Sequence, residues 1–254
     1  MLLALAGFAS GWINVIAGGG SLLTVGALVF MGLPGPVANG TNRIAIIAQS
    51  LAAVASFRSR GFSDFRLSAT LAAAASLGAF FGAQVGVSLA GVWFNRTVAA
   101  VMIAVMVLMA SERDKSKSGA VASAKAAAAP ERSAKAKNLA LGHVLMIGAG
   151  FWGGLIQIGV GFLLMPILYR VMGLDLLRVN MHKVFIALVF TTVSFFVFAA
   201  KVEIVWEAGA ALAAGTALGG WMGAHAAILR GERFIKRALV AVLAVMTVKL
   251  LFFP

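Results

Sequence analysis

The chain has 254 residues, 61% hydrophobic and 11% charged, with a mean hydropathy of +0.99. A soluble domain of this size needs more charge to cover its surface, so the composition reads as a helical integral membrane protein. The formal charge of +13 does not point to nucleic acid, because the cations gather in turns and one linker, and the lack of cysteine excludes disulfides, thiolate metal sites and cysteine nucleophiles.

The first apolar run covers residues 2–16. It has no basic leader region and has a counterpart later in the chain, so it reads as part of the fold rather than as a cleaved signal. It stops at Gly18-Gly19-Gly20. Three glycines in a membrane-length apolar run predict an unwound helix, which survives at that depth only where protein or a polar cavity covers it. A second short run, 21–31, starts at Ser21 and ends in the turn Gly32-Leu33-Pro34. Three longer spans follow at 37–57, 65–90 and 94–110.

Residues 111–138 are rich in Ala, Lys and Ser and have no apolar face, so they predict a mobile basic linker between two membrane units, 1–110 and 139–254. The second unit repeats the first: runs at 139–158 and 162–172 flank Gly159-Val160-Gly161, and spans follow at 179–200, 205–229 and 234–253. Pro166 falls early in its short run, where a helix start tolerates proline.

At an offset of 141 residues the halves align without a gap: Gly18 meets Gly159, Gly20 meets Gly161, Asn39 meets Asn180, Gly78 meets Gly219, Gly82 meets Gly223 and Arg96 meets Arg237. Chance matching of Ala, Gly and Leu does not place the Asn and Arg pairs in one register, so the chain reads as a duplication. With the linker in the cytoplasm, a hairpin plus three crossings per half leaves only Arg43, Arg96, Lys201 and Lys249 of the 21 Lys and Arg residues outside. Four crossings per half would split the cations almost evenly. The positive-inside rule therefore selects an all-α membrane protein of two inverted repeats, each a glycine-broken hairpin plus three transmembrane helices, with both termini periplasmic. In such folds substrates sit near the midplane between repeats, with half-helix N-termini aimed at anions; here those helices would begin at Ser21 and Phe162.

The segments GFASGWINVIAGGGSLL and VANGTNRIAII, echoed as GAGFWGGLIQIGVGFLLMPIL and VNMHKVFIALVFTTVSFF, resemble the TauE/SafE sulfite exporter family of membrane permeases over nearly the whole chain. The resemblance implies passage of small sulfur oxyanions or organosulfonates across the bacterial inner membrane, coupled to a proton or cation gradient. The chain departs from the pattern where Thr24-Val25 stands in place of a proline, where the second break reads Gly-Val-Gly, and in its long linker.

The candidate substrate-binding residues are Gly18, Gly19, Gly20, Ser21, Asn39, Thr41, Asn42, Arg43, Gln157, Gly159, Gly161, Asn180, His182 and Lys183. Intramembrane polar groups are costly and mark function. Asn and Thr offer neutral donors, while Arg and Lys supply charge for an oxyanion. The bland reading has Arg43 and Lys183 snorkelling at membrane edges and Asn39 and Asn180 capping helices. Asn14 and Gln157 precede the breaks and would line the cavity, whereas Gln49 reads as packing. His225, the repeat partner of Gln84, is the candidate for proton coupling. Gly78, Gly82, Gly219 and Gly223 are assigned to helix packing. No HExxH, GxSxG, phosphate-loop or paired-carboxylate motif is present, and no cofactor or metal is expected. The expected partners are a small anion, the lipid bilayer and a coupling ion, but not nucleic acid; a homo-oligomer stays open. The rivals to a secondary transporter are a passive anion channel and a non-transporting membrane scaffold.

Overall fold

The computed structural model describes residues 1–16, 18–62, 64–89, 91, 93, 96 and 136–252, the side chains of 231–233 and 235–252 apart. The expected span at 94–110 and most of the linker lie outside the described residues.

Every regular element among the described residues is helical. The first half holds α1 (Leu2–Ile16), α2 (Ser21–Phe30), α3 (Gly35–Arg58) and α4 (Phe65–Gly86). The second holds α5 (Leu139–Leu155), α6 (Val160–Pro166) with a π-helical turn at Ile167–Val171, α7 (Leu176–Ala199) and α8 (Trp206–Phe252). Asp64 and Asp175 cap α4 and α7 by accepting from the backbone N–H of Leu67 and Arg178. Phe65–Gly86, Leu176–Ala199 and Trp206–Arg230 are long and apolar enough to cross a membrane. The 24-residue α3 is as long as α7, but Asn39, Asn42, Arg43 and Gln49 dilute its hydropathy.

Two elements differ from the sequence reading. Pro166 is the seventh residue of α6, not an early one, because the helix starts at Val160. Proline has no N–H to return to the previous turn, and the backbone beyond it widens into the π turn, where the Met172 N–H bonds the Ile167 carbonyl at 3.0 Å. The break expected between 229 and 234 does not form: α8 is one 47-residue helix. Gly231 stands there without a proline, between the helix formers Arg230, Glu232 and Arg233, and a lone glycine costs a helix only about 1 kcal/mol.

The halves exchange partners. α1 packs along the first part of α8, and α5 packs along α4. Small residues bring these backbones together. A Cβ on Gly78 or Gly82 would press into the carbonyls of Ile147 and Phe151, and one on Gly219 into the carbonyl of Phe8. Gly150 and Gly154 return the contact to Ala75 and Ala79. With no hydrophobic drive between helices in lipid, such close approach is a main source of association. α3 and α7 run antiparallel: Arg43, early in α3, meets Ser194 and Phe198 late in α7, while Phe57 at the end of α3 clusters with Met181 and Val184 early in α7.

Residues 136–138 are held to the second hairpin. The Lys137 N–H donates to the Met172 carbonyl at 2.9 Å, and Asn138, at φ 48°, donates from Nδ2 to the Val171 carbonyl.

Candidate functional site

The two glycine breaks touch. Gly18, at φ 89°, lies so close to Gly161 that a Cβ on it would sit 2.7 Å from the Gly161 Cα and carbonyl carbon. Each break is pinned by its own hairpin. At the first, the Ser10 hydroxyl donates to the Gly20 carbonyl at 2.6 Å. At the second, Trp152 Nε1 donates to the Ile158 carbonyl at 3.0 Å, and both Gln157 (φ 58°) and Gly159 (φ 71°) take left-handed conformations. That conformation strains a glutamine, and its side chain is held on both sides: Nε2 donates to Thr191 Oγ1 at 3.1 Å and Oε1 accepts from Arg43 at 2.9 Å.

The polar stretches of α3 and α7 converge on these breaks, each on the other half's. Arg43 is fully buried. Its guanidinium donates to the carbonyls of Gly153 (3.3 Å) and Gly154 (2.5 Å), to Gln157 Oε1 and to Ser194 Oγ (2.6 Å), and it stacks 4.3 Å from the Phe198 ring centre. Lys183, 3% exposed, donates from Nζ to the Val15 carbonyl at 2.6 Å. Both cations therefore sit on carbonyls in the last turn of a broken helix, α5 for Arg43 and α1 for Lys183, where the helix dipole is negative. Neither has a carboxylate partner among the described residues. Both charged heads are buried inside the helix bundle and bonded to protein groups rather than reaching solvent, so the snorkelling reading does not hold for these two.

The asparagines do not cap helices either; the residues preceding α3 and α7 are Pro34 and Asp175. Asn39 Nδ2 donates to the Leu155 carbonyl at 2.9 Å, and its Oδ1 has no partner. Both carboxamide atoms of Asn42 and both of Asn180 are fully buried without a partner. Each buried amide left unpaired costs about 1–3 kcal/mol, so these side chains stand ready to bond something that the described residues do not supply.

Thr41 and His182 do different work. Thr41 Oγ1 accepts from the Val205 N–H at 3.1 Å, and His182 Nδ1 is 2.8 Å from Ser68 Oγ. Each fastens one half's polar stretch to the entrance of the other half's next long helix. Gly19, Gly20 and Ser21 lie at the first break, with Ser21 buried at the start of α2. His225 is not brought to the breaks. It stacks on Trp221 and lies 2.8 Å from Arg60 beyond the end of α3. Its repeat counterpart has the same arrangement, since Lys201 bonds Gln84. Arg60 is about 25 Å along the axis from Arg43. Gln49, read as packing, accepts from Asn14 Nδ2 at 3.1 Å, so the two satisfy one another.

The sequence reading missed Ser194, Thr191, Phe198 and the Val15 carbonyl. Thr191 and Ser194 are three residues apart in an apolar run, a face that helical spacing displays.

The arrangement concentrates positive charge. Arg43 and Lys183 each bring a basic group beside one break, offset in part by the C-terminal ends of α5 and α1 and helped by the start of α2. A buried site of net positive charge, lined by unpaired carboxamides and unwound backbone, favours a small anion.

The family model described as "Sulfite exporter TauE/SafE" matches residues 3–250. The chain is similar to a probable membrane transporter protein, ORF9, of a Sinorhizobium species, 25% identical over 99% of this chain and 92% of the relative. It is similar to a probable membrane transporter protein of Haemophilus influenzae, 23% identical over 99% and 94%. The probable membrane transporter protein YfcA of Escherichia coli is 23% identical over 96% and 86%. No solved structure matches significantly.

Proposed function

The chain belongs to the TauE/SafE sulfite exporter family of multi-pass membrane transporters, and from that premise we propose that it moves sulfite or a small organosulfonate across the bacterial inner membrane by alternating access. One observation carries the anion. Arg43 and Lys183, buried and without carboxylate partners among the described residues, flank touching glycine breaks beside the unpartnered carboxamides of Asn42 and Asn180.

Inverted repeats are the second part of the proposal. They are supported by the antiparallel run of α3 and α7, by the exchange of partners between α1 and α5, and by the repeat-related pairs Arg60 with His225 and Lys201 with Gln84. Rocking one half against the other about the Gly18–Gly161 contact would expose the site to each face in turn. The cation bias favours a cytoplasmic α3–α4 turn and linker and a periplasmic N-terminus; the C-terminal side is left open by the unbroken α8.

The test is flux of sulfite, thiosulfate and methanesulfonate into liposomes holding the purified protein, with and without a pH gradient. Saturable flux that responds to the gradient is the expected result. Flux rising linearly with concentration would replace the transporter by a channel, and no flux for any of the three anions would overturn the substrate class.

A further inference from the structure

The two polar clusters are related by the repeat but are not equivalent. Arg43 is held at both terminal nitrogens: they reach four acceptors on α5, the second break and α7, and its plane lies on Phe198, so that only Nε is left without a partner. A group held by so many fixed contacts cannot turn toward a substrate without dismantling the contact between halves. Lys183 has one bond, to the Val15 carbonyl, and an ammonium carries three donors. Asn180 stands three residues before it on the same face of α7, fully buried, with both carboxamide atoms unpartnered.

The difference has a local cause. At the 141-residue offset, Lys183 aligns with Asn42, and Arg43 aligns with Val184. One cluster therefore has its cation one position further along, a rotation of about 100° around the helix. The ends of the broken helices differ too. α5 stops at Leu155, whose carbonyl takes the Asn39 amide, whereas α1 continues two residues past the aligned position to Ile16. The amide of Asn180, placed on α7 as Asn39 is on α3, is left without that bond.

We infer that the two clusters divide the work: Lys183 and Asn180, against Gly18-Gly19-Gly20 at the first break, bind the anion, while Arg43 is a positioning residue that locks the second break to α3 and α7. This rests on the anion-transport reading and assigns the charge contact within it. A single mobile cation joined by neutral donors suits an anion carrying one charge at its head, such as a sulfonate or hydrogensulfite, rather than one that must be gripped by two cations.

The experiment measures the rise in Tm of the purified, detergent-solubilised protein with added methanesulfonate, using chloride as control, together with KM and kcat for flux in liposomes. A ligand that binds only the folded state raises Tm with its concentration. For wild type, Tm rises with methanesulfonate and not with chloride. Lys183→Gln abolishes the rise and increases KM roughly 10- to 100-fold. Arg43→Lys loosens the clamp, so it lowers the starting Tm and kcat, yet its Tm still rises with methanesulfonate, which that of Lys183→Gln does not. Asn180→Ala removes two unpartnered atoms, so it folds as wild type does and loses the rise; it decides the matter if Lys183→Gln does not fold. An unchanged methanesulfonate response in Asn180→Ala or Lys183→Gln, beside a normal wild-type response, overturns this division and leaves the anion reading intact. A wild type that responds to no anion overturns both.

Discussion

Gly18 and Gly161 meet backbone to backbone, although 143 residues separate them in the chain. Each is a glycine for a reason the other creates: a side chain on either would collide with the main chain of its partner. The contact places the two breaks in one place and brings Arg43 and Lys183 to the ends of helices from the opposite halves.

Gly18→Ala is accordingly expected to destabilise the protein by about 3 kcal/mol or more, since it adds a clash to a left-handed backbone at φ 89°. Thermal unfolding in detergent measures this. A Tm within about a degree of wild type would show that the breaks do not touch in the folded protein.

The close helix contacts predict opposite outcomes for two glycines on neighbouring hairpins and spans. Gly82→Ala drives a methyl into the Phe151 carbonyl, so it should lower Tm and the folded yield, at a cost of about 1–3 kcal/mol. Gly26→Ala meets nothing within 4 Å in α2 and should be neutral or stabilising by up to about 1 kcal/mol. Equal effects would dissociate the small residues from packing.

The packing glycines, the breaks and the polar stretches were legible in sequence, because small residues recur at helical spacing and intramembrane polar groups stand out against an apolar background. Arg43 and Lys183, the cations of the two polar stretches, stand one residue apart in the repeat register, and that displacement sends the two side chains to different environments. Partners such as Ser194 and the Gly153 and Gly154 carbonyls were illegible, because they lie 110 or more residues from Arg43 and depend on which helices cross. The left-handed turn at Gln157 gives no compositional signal, since most such turns use Gly or Asn. The continuity of α8 through Gly231 is a case where local helix formers outweighed a charged stretch that reads as a turn.

Arg60 with His225 and Lys201 with Gln84 are the same pairing made twice, each joining one half to the other. His225→Gln copies the second pair onto the first and should keep transport within about 3-fold of wild type. His225→Ala and Arg60→Ala should each weaken stability, and their double-mutant cycle should return a coupling of about 0.5–1 kcal/mol. Additive losses with no coupling would mean that the pair does not bridge the halves.

The fasteners outside the breaks give a further pair. Thr41→Val removes the acceptor for the Val205 N–H, and Ser68→Ala removes the partner of His182. Each should cost about 1 kcal/mol, and together they should cost the sum, because they lie at different interfaces. Denaturant or thermal unfolding of the two single variants and the double variant measures it. A double variant no less stable than the single ones would show that the two fasteners are not independent.

The most direct test of the central claim is uptake of labelled sulfite into liposomes preloaded with unlabelled sulfite, comparing wild type with Asn39→Ala/Asn180→Ala. A carrier that alternates its access is expected to take up label saturably, faster with sulfite on the far side than without it, and the double variant is expected to lose that exchange while remaining folded. Uptake that rises linearly, ignores sulfite on the far side and is unchanged in the double variant would contradict both the alternating mechanism and the site.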